Sequence, residues 1–304
     1  MKTYIVVGGR AYADIDVLAC VAAYTQLLNL KNHQAKGIIT GPWNQTIPET
    51  VRKWTIEIEK KFLDLVEQCC FILVDVSDPN FIDEFVSIDR VTEVYDHHYG
   101  HEIFWKERVQ SSAHIEPVGA CATLIWEKFK ESGFHASISS TNANLLYTAI
   151  FANTLNFKSQ VTSDRDLRAS EELLKYITLP DDWKAIYYAE VAEGFNRDLS
   201  ALIQKDTKTI DWQGKKFYFG QVEIWNATPI INGFEHKFNP HPNDEWLINI
   251  ASIEEDRSYF YTNSTRLREK LSHLTDAKEI NQYFQISHRL WLRKEILREL
   301  YTYQ

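Results

Sequence analysis

Three short clusters in the first third of the chain hold side chains able to bind a cation and move a proton: Ala13-Asp14-Ile15-Asp16, Asp75-Val76-Ser77-Asp78 and Asp96-His97-His98. Asp14 and Asp16 are two residues apart, so both carboxylates can enter one loop, and hard divalent cations take such oxygen ligands. The plainer alternative is that Asp14 caps a following helix while Asp16 sits favourably in its first turn. Asp75 closes the most apolar run of the chain, Cys70-Phe71-Ile72-Leu73-Val74. A carboxylate at the edge of a buried element needs a cation or several donors unless it merely opens a turn. Asp96-His97-His98 offers a metal ligand, an orienting group and a proton donor together. A histidine pair alone is often only a polar loop, but three acidic clusters of this kind make coincidence a weaker explanation.

The elements that must position these clusters are legible from hydrophobic period. Short β-branched runs at 4–7, 37–40, 71–76 and 91–95 alternate with helical periodicity, notably at 15–30, which predicts β-α-β units and a parallel sheet. In such sheets ligands bind just past the carboxyl ends of the strands. All three clusters fall there. Further helices are expected at 121–131, 141–152 and 164–176, the last opened by Ser163 with Asp166 three residues on, a variant of the capping box.

The texture changes near residue 193: runs at 208–211 and 216–225 flank Gln213-Gly214 as a hairpin, 246–253 and 258–262 predict strands, and a helix is expected to close the chain from about residue 277. The expected fold class is therefore α/β. A parallel-sheet domain with helices on both faces spans 1–192, and a smaller mixed α/β domain spans 193–304.

Composition bounds the function. At 304 residues, with 44% hydrophobic residues and nine tryptophans, the chain can bury two cores. Lys plus Arg number 33 against 42 for Asp plus Glu, and the net charge of -9 argues against a protein that gains its affinity from a nucleic-acid backbone. The apolar run at 4–7 is too brief for a signal-peptide core or a membrane span. Cys20, Cys69, Cys70 and Cys121 lack zinc-ribbon spacing and lie in apolar stretches, so buried reduced thiols and a cytoplasmic location are expected. Trp43, Trp54, Trp105 and Trp183 could stack bases, although filling space is the plainer role.

At this point the residues resemble the DHH phosphoesterase superfamily, and within it most of all the family II inorganic pyrophosphatases. The resemblance runs through Gly9-Arg10-Ala11-Tyr12-Ala13-Asp14-Ile15-Asp16, Leu73-Val74-Asp75, Tyr95-Asp96-His97-His98, Gly119-Ala120-Cys121-Ala122-Thr123 and the stretch from Ala149 through Asn153 to Ser159. Asp206-Thr207-Lys208, Gly214-Lys215-Lys216 and Arg293-Lys294-Glu295 extend it into the second domain. It implies metal ligation by Asp14, Asp16, Asp75 and His97, with Asp75 bridging two sites, and a His98 that faces the phosphate. It further implies that Lys208, Arg293 and Lys294 bind phosphoryl oxygens, with the active site between the domains. The implied reaction is metal-assisted hydrolysis of a phosphoanhydride, with pyrophosphate the foremost substrate and Mn2+ (or Mg2+ or Co2+) as the cofactor, one or two ions per chain. A homodimer is also implied.

Two family positions depart from the pattern: Arg10 stands where a histidine is expected and Asn153 where an aspartate is expected. Together they change the site by about +2, the charge of one divalent ion. The expectation is a site with at most one ordinary cation, held by Asp16, Asp75, His97 and Asn153, while Arg10 pairs with Asp14 or grips a phosphate. The departures leave open a short polyphosphate or nucleotide substrate, or a non-catalytic phosphate- or nucleotide-binding protein. The loop at 234–243, with its two histidines and two prolines, stays without an assigned role.

Overall fold

A computed structural model describes residues 2–60, 69–197, 203–204, 207–231, 244–281 and 284–302. The chain divides into two compact units, one formed by Met1–Phe157 and Val161–Lys184, the other by Lys158–Gln160 and Ala185–Gln304. The expected boundary at 192/193 and the observed crossing at 184/185 lie in the same helix, Trp183–Arg197. The loop at 234–243 lies outside the described residues.

The first unit is built on strands β1 (Thr3–Val7), β2 (Gln34–Ile38), β3 (Cys69–Val74), β4 (Val91–Asp96) and β5 (Ala113–Ile115), in the spatial order β2-β1-β3-β4-β5. Every pairing is parallel. Its helices are α1 (Ile15–Leu30), α2 (Glu49–Arg52), α3 (Glu102–Val109), α4 (Cys121–Glu131), α5 (Ser140–Asn153) and α6 (Asp164–Leu173), with Trp183 and Lys184 opening α7 (Trp183–Arg197). On one sheet face Ile5, Val7, Phe71, Leu73, Val91 and Val94 pack with Trp105 of α3. The alternate residues Val6, Ile72 and Val74 are just as fully buried. Both faces are thus covered, which explains why these strands are continuous apolar runs.

The strand order reverses between β1 and β3, so the crevice for a ligand opens at their carboxyl ends. There β1 leads to Asp14, β3 to Asp75, and β4 ends on Asp96. Trp105 is fully buried, its indole N–H donating to the Ser77 carbonyl at 2.6 Å, and Trp183 donates to Thr148 Oγ1 at 2.9 Å with Trp54 beside it. Trp105 and Trp183 are therefore core residues, not base-stacking platforms. The cysteines are free thiols, three buried and Cys70 half-buried.

The second unit carries a six-stranded mixed sheet in the order β10-β11-β9-β8-β7-β6, made of β6 (Lys208–Trp212), β7 (Lys215–Ile224), β8 (Trp246–Ser252), β9 (Arg257–Thr262), β10 (Lys278–Glu279) and β11 (Phe284–Ser287). Among the described residues only β7 and β8 pair in parallel there. Gln213 and Gly214 both have positive φ, 54° and 70°, as a two-residue hairpin turn between twisted strands requires. The helix expected from residue 277 is replaced by β10 and β11, and among the described residues the closing helix is Arg293–Thr302. A further helix, Thr265–Thr275, was not foreseen. Phe284 and Gln285 are buried as they pair with β9, and that pairing overrides the local helical preference.

Candidate metal centre

The strand ends bring Asp75, His97 and His98 together, with one ligand atom from each lying within 4.8 Å of the others. Asp75 leaves β3 with φ of 55°, a left-handed conformation that costs a non-glycine residue about 1 kcal/mol or more. Its backbone N–H is tied to the Tyr95 carbonyl at 2.8 Å. Its Oδ1 is buried with no hydrogen-bond partner among the described residues. His97 Nε2 stands 3.4 Å from that oxygen and His98 Nδ1 3.9 Å. His97 Nδ1 lies 3.2 Å from the Val118 carbonyl, which can only accept, so Nδ1 carries the hydrogen. In the neutral ring the Nε2 lone pair then faces a carboxylate oxygen. A cation between them satisfies both.

Electrostatics lead to the same conclusion. Burial, and then the charges of Asp16 and Asp14, push the Asp75 carboxyl well above the usual range. Burial and the Asp14 charge push Asp16 up to about 7. Three carboxylates crowded at the end of a buried sheet resist ionising together, and a divalent cation relieves both the repulsion and the lost hydration. The donor set, carboxylate with imidazole, suits a divalent cation.

The other expected ligands are placed differently. Asp14 caps α1, its Oδ1 accepting from the backbone N–H groups of Asp16 at 3.0 Å and Val17 at 2.9 Å. Asp16 is fully buried and its carboxylate receives the N-terminus of α4, from Cys121 N at 2.8 Å and Ala122 N at 2.9 Å. Asn153, the last residue of α5, donates from its amide to Ala149 O at 3.2 Å. The expected pairing of Arg10 with Asp14 is corrected. The Arg10 backbone N–H bonds Phe81 O at 2.8 Å, which sets it beside the loop after β3, and its guanidinium meets Glu84 of that loop at 3.2 Å.

Sequence reasoning missed the support beneath the histidines. Fully buried Asp166 accepts from Gly119 N, Ala120 N, Thr123 Oγ1, Ser163 N and Ser163 Oγ, at 2.6 to 3.4 Å. The expected capping box at Ser163 and Asp166 is present. The same carboxylate also fixes the turn whose Val118 carbonyl holds His97. Gly119 is required there, since a Cβ would lie 2.5 Å from the Thr154 methyl and 3.0 Å from Asp166 Oδ2. After Asn153 the chain reverses through three consecutive left-handed residues, Leu155, Asn156 and Phe157, with φ of 51°, 55° and 64°. No glycine announces that turn.

In the second unit Lys208 pairs in register with Phe219 of β7. Arg293, which opens the last helix, donates from Nη1 to the Phe219 carbonyl at 3.2 Å, and its backbone N–H donates to the Gln221 side chain. Two of the expected phosphate-binding bases, far apart in sequence, thus converge on the middle of β7. Lys294 follows, half-buried, in the first turn of the helix.

A parallel α/β unit with acidic and histidine strand ends at its switch point, followed by a mixed-sheet unit, is the arrangement that the resemblance to the DHH phosphoesterases implies. The chain is similar in sequence to proteins named probable manganese-dependent inorganic pyrophosphatase. No family model matches the sequence. A protein of Lactobacillus delbrueckii subsp. bulgaricus named probable manganese-dependent inorganic pyrophosphatase is 27% identical over 227 residues, 71% of this chain and 69% of that one. A Lactobacillus helveticus protein of the same name is 24% identical over 282 residues, 89% of each chain. Among solved structures, a Methanococcus jannaschii protein described as a "putative family II inorganic pyrophosphatase" shares the fold with a TM-score of 0.68 at 21% identity, covering 98% of each chain.

Proposed function

We propose that this chain is a divalent-metal-dependent hydrolase of phosphoanhydrides, with inorganic pyrophosphate as its substrate and manganese as its metal. The observation that carries the reading is the buried Asp75 Oδ1, without a hydrogen-bond partner among the described residues, facing His97 Nε2 at 3.4 Å. The names of the relatives supply the substrate and the metal. Asp75 and His97 would hold the ion, Asp14 and Asp16 would add negative charge and ligand oxygens beside them, and Asn153 would add a neutral oxygen. Such an ion supplies Lewis acidity toward a phosphoryl oxygen and makes a nearby water more acidic. His98 faces the phosphate and holds or delivers a proton at Nε2. Arg10, Lys208, Arg293 and Lys294 take the phosphoryl oxygens, whose charge must be matched as water attacks phosphorus in line.

A second substrate, short polyphosphate or a nucleotide, is favoured by one observation: Arg10 and Asn153 leave the centre with fewer anionic and imidazole ligands than the family pattern has. Phosphate release from pyrophosphate, tripolyphosphate and a dinucleotide, each with manganese, magnesium or cobalt, separates the readings. Fastest release from pyrophosphate with manganese is expected. Turnover of tripolyphosphate or the dinucleotide alone would establish the second substrate, and release unaffected by excess chelator would remove the metal from the mechanism. Among the described residues no helix is long and apolar enough to cross a membrane. With its free thiols, the chain is placed in the cytosol as part of the same proposal, together with assembly as a homodimer.

A further inference from the structure

Asp96 ends β4 with a carboxylate that is fully buried. Its Oδ1 is a shared acceptor for three donors: His97 N at 2.8 Å, His98 N at 3.2 Å and His98 Nδ1 at 2.8 Å. We propose that Asp96 is a positioning residue for hydrolysis, which shapes the turn carrying both histidines and fixes His98 in the tautomer that offers Nε2 to the substrate. The proposal rests on the reading of the chain as a phosphoanhydride hydrolase.

The two imidazoles need anchoring to different degrees. His97 is almost wholly enclosed, its side chain 3% exposed, and the Val118 carbonyl orients it independently of Asp96. The His98 side chain is 55% exposed, so packing alone leaves its ring free to turn. The Asp96 carboxylate accepts and does not donate, so the bond at 2.8 Å places the hydrogen on His98 Nδ1. The opposite nitrogen, Nε2, is then the one available to a phosphoryl or leaving oxygen. The ring stands nearly perpendicular to His97, at 79° with centroids 4.5 Å apart, which keeps it beside the centre. His98 Nδ1 is also 3.9 Å from Asp75 Oδ1, and engagement by Asp96 keeps that nitrogen from serving as a metal ligand.

The test has two arms. Histidine-labelled, magnesium-loaded protein is measured by 15N NMR, with the His98 signal identified by its loss in His98→Gln. A protonated Nδ1 and an unprotonated Nε2 are expected, and the reverse tautomer in wild-type protein would overturn the proposal without any variant having to fold. In the second arm Asp96→Asn, which keeps an acceptor for the two backbone N–H groups, is compared with wild type. Expected are manganese affinity and KM within about threefold, kcat lower by about 100-fold or more as when a carboxylate orienting a histidine is neutralised, and a mixed His98 tautomer. An unchanged kcat would overturn the positioning role. A wild type that hydrolyses no phosphoanhydride would instead overturn the functional reading, and the NMR arm would still decide how Asp96 holds His98.

Discussion

Asp75 is held in a conformation and an environment that a folded chain ordinarily avoids: left-handed φ, burial, neighbouring carboxylates and an oxygen without a hydrogen-bond donor among the described residues. Such costs persist where a ligand offsets them. Asp75→Asn removes the charge and keeps the shape. The variant is expected to melt at a higher temperature than wild type without metal, to lose stabilisation by manganese, and to hydrolyse pyrophosphate at least 100-fold more slowly. A variant equally stabilised by manganese would show that the ion binds elsewhere. Arg10 and Asn153 make the complementary case. Restoring the family residues with Arg10→His and Asn153→Asp adds about two units of negative charge, so calorimetric manganese affinity should rise. Unchanged affinity would mean that these positions do not border the ion. The sequence showed both departures, and it showed which carboxylates stand at strand ends. It did not show that Arg10 turns to Glu84, because that depends on a bond between the loops after β1 and β3.

At the scale of elements, the centre depends on where α4 and α6 begin. Asp166 receives five donors from both helix starts. Asp166→Ala leaves the donors of Gly119, Ala120 and Thr123 buried and unpaired, and urea unfolding should show a loss of about 3–5 kcal/mol. Gly119→Ala, which drives a methyl into Thr154 and Asp166, should cost about 1–3 kcal/mol and weaken manganese binding through the displaced Val118 carbonyl. A stable Gly119→Ala with normal affinity would separate the turn from the metal. Elements with a strong period were legible: β1, β3 and β4 as apolar runs, and α4, α5 and the capped start of α6. Strand β5 escaped because only three half-buried residues form it, and β10 with β11 escaped because β9, distant in sequence, dictates their pairing.

For the whole molecule, a cation that binds the folded chain and not the unfolded one adds stability that grows with its concentration, about 2.7 kcal/mol at one hundred times Kd. Manganese should therefore raise the melting temperature of chelator-treated protein. The two-unit plan was legible from the change in texture near residue 193 and from the convergence of motifs along the chain. That Lys208 pairs in register with Phe219 and Arg293 bonds its carbonyl was not, since this depends on the register of β6 with β7 and on where the last helix starts. The most direct measurement is a manganese titration of chelator-treated protein in which bound metal and phosphate release from pyrophosphate are followed in the same sample. Release that rises in step with occupancy in wild type, with both lost in Asp75→Asn, is the expected result. Hydrolysis at zero occupancy, or full occupancy in the variant, would contradict a cation held between Asp75 and His97.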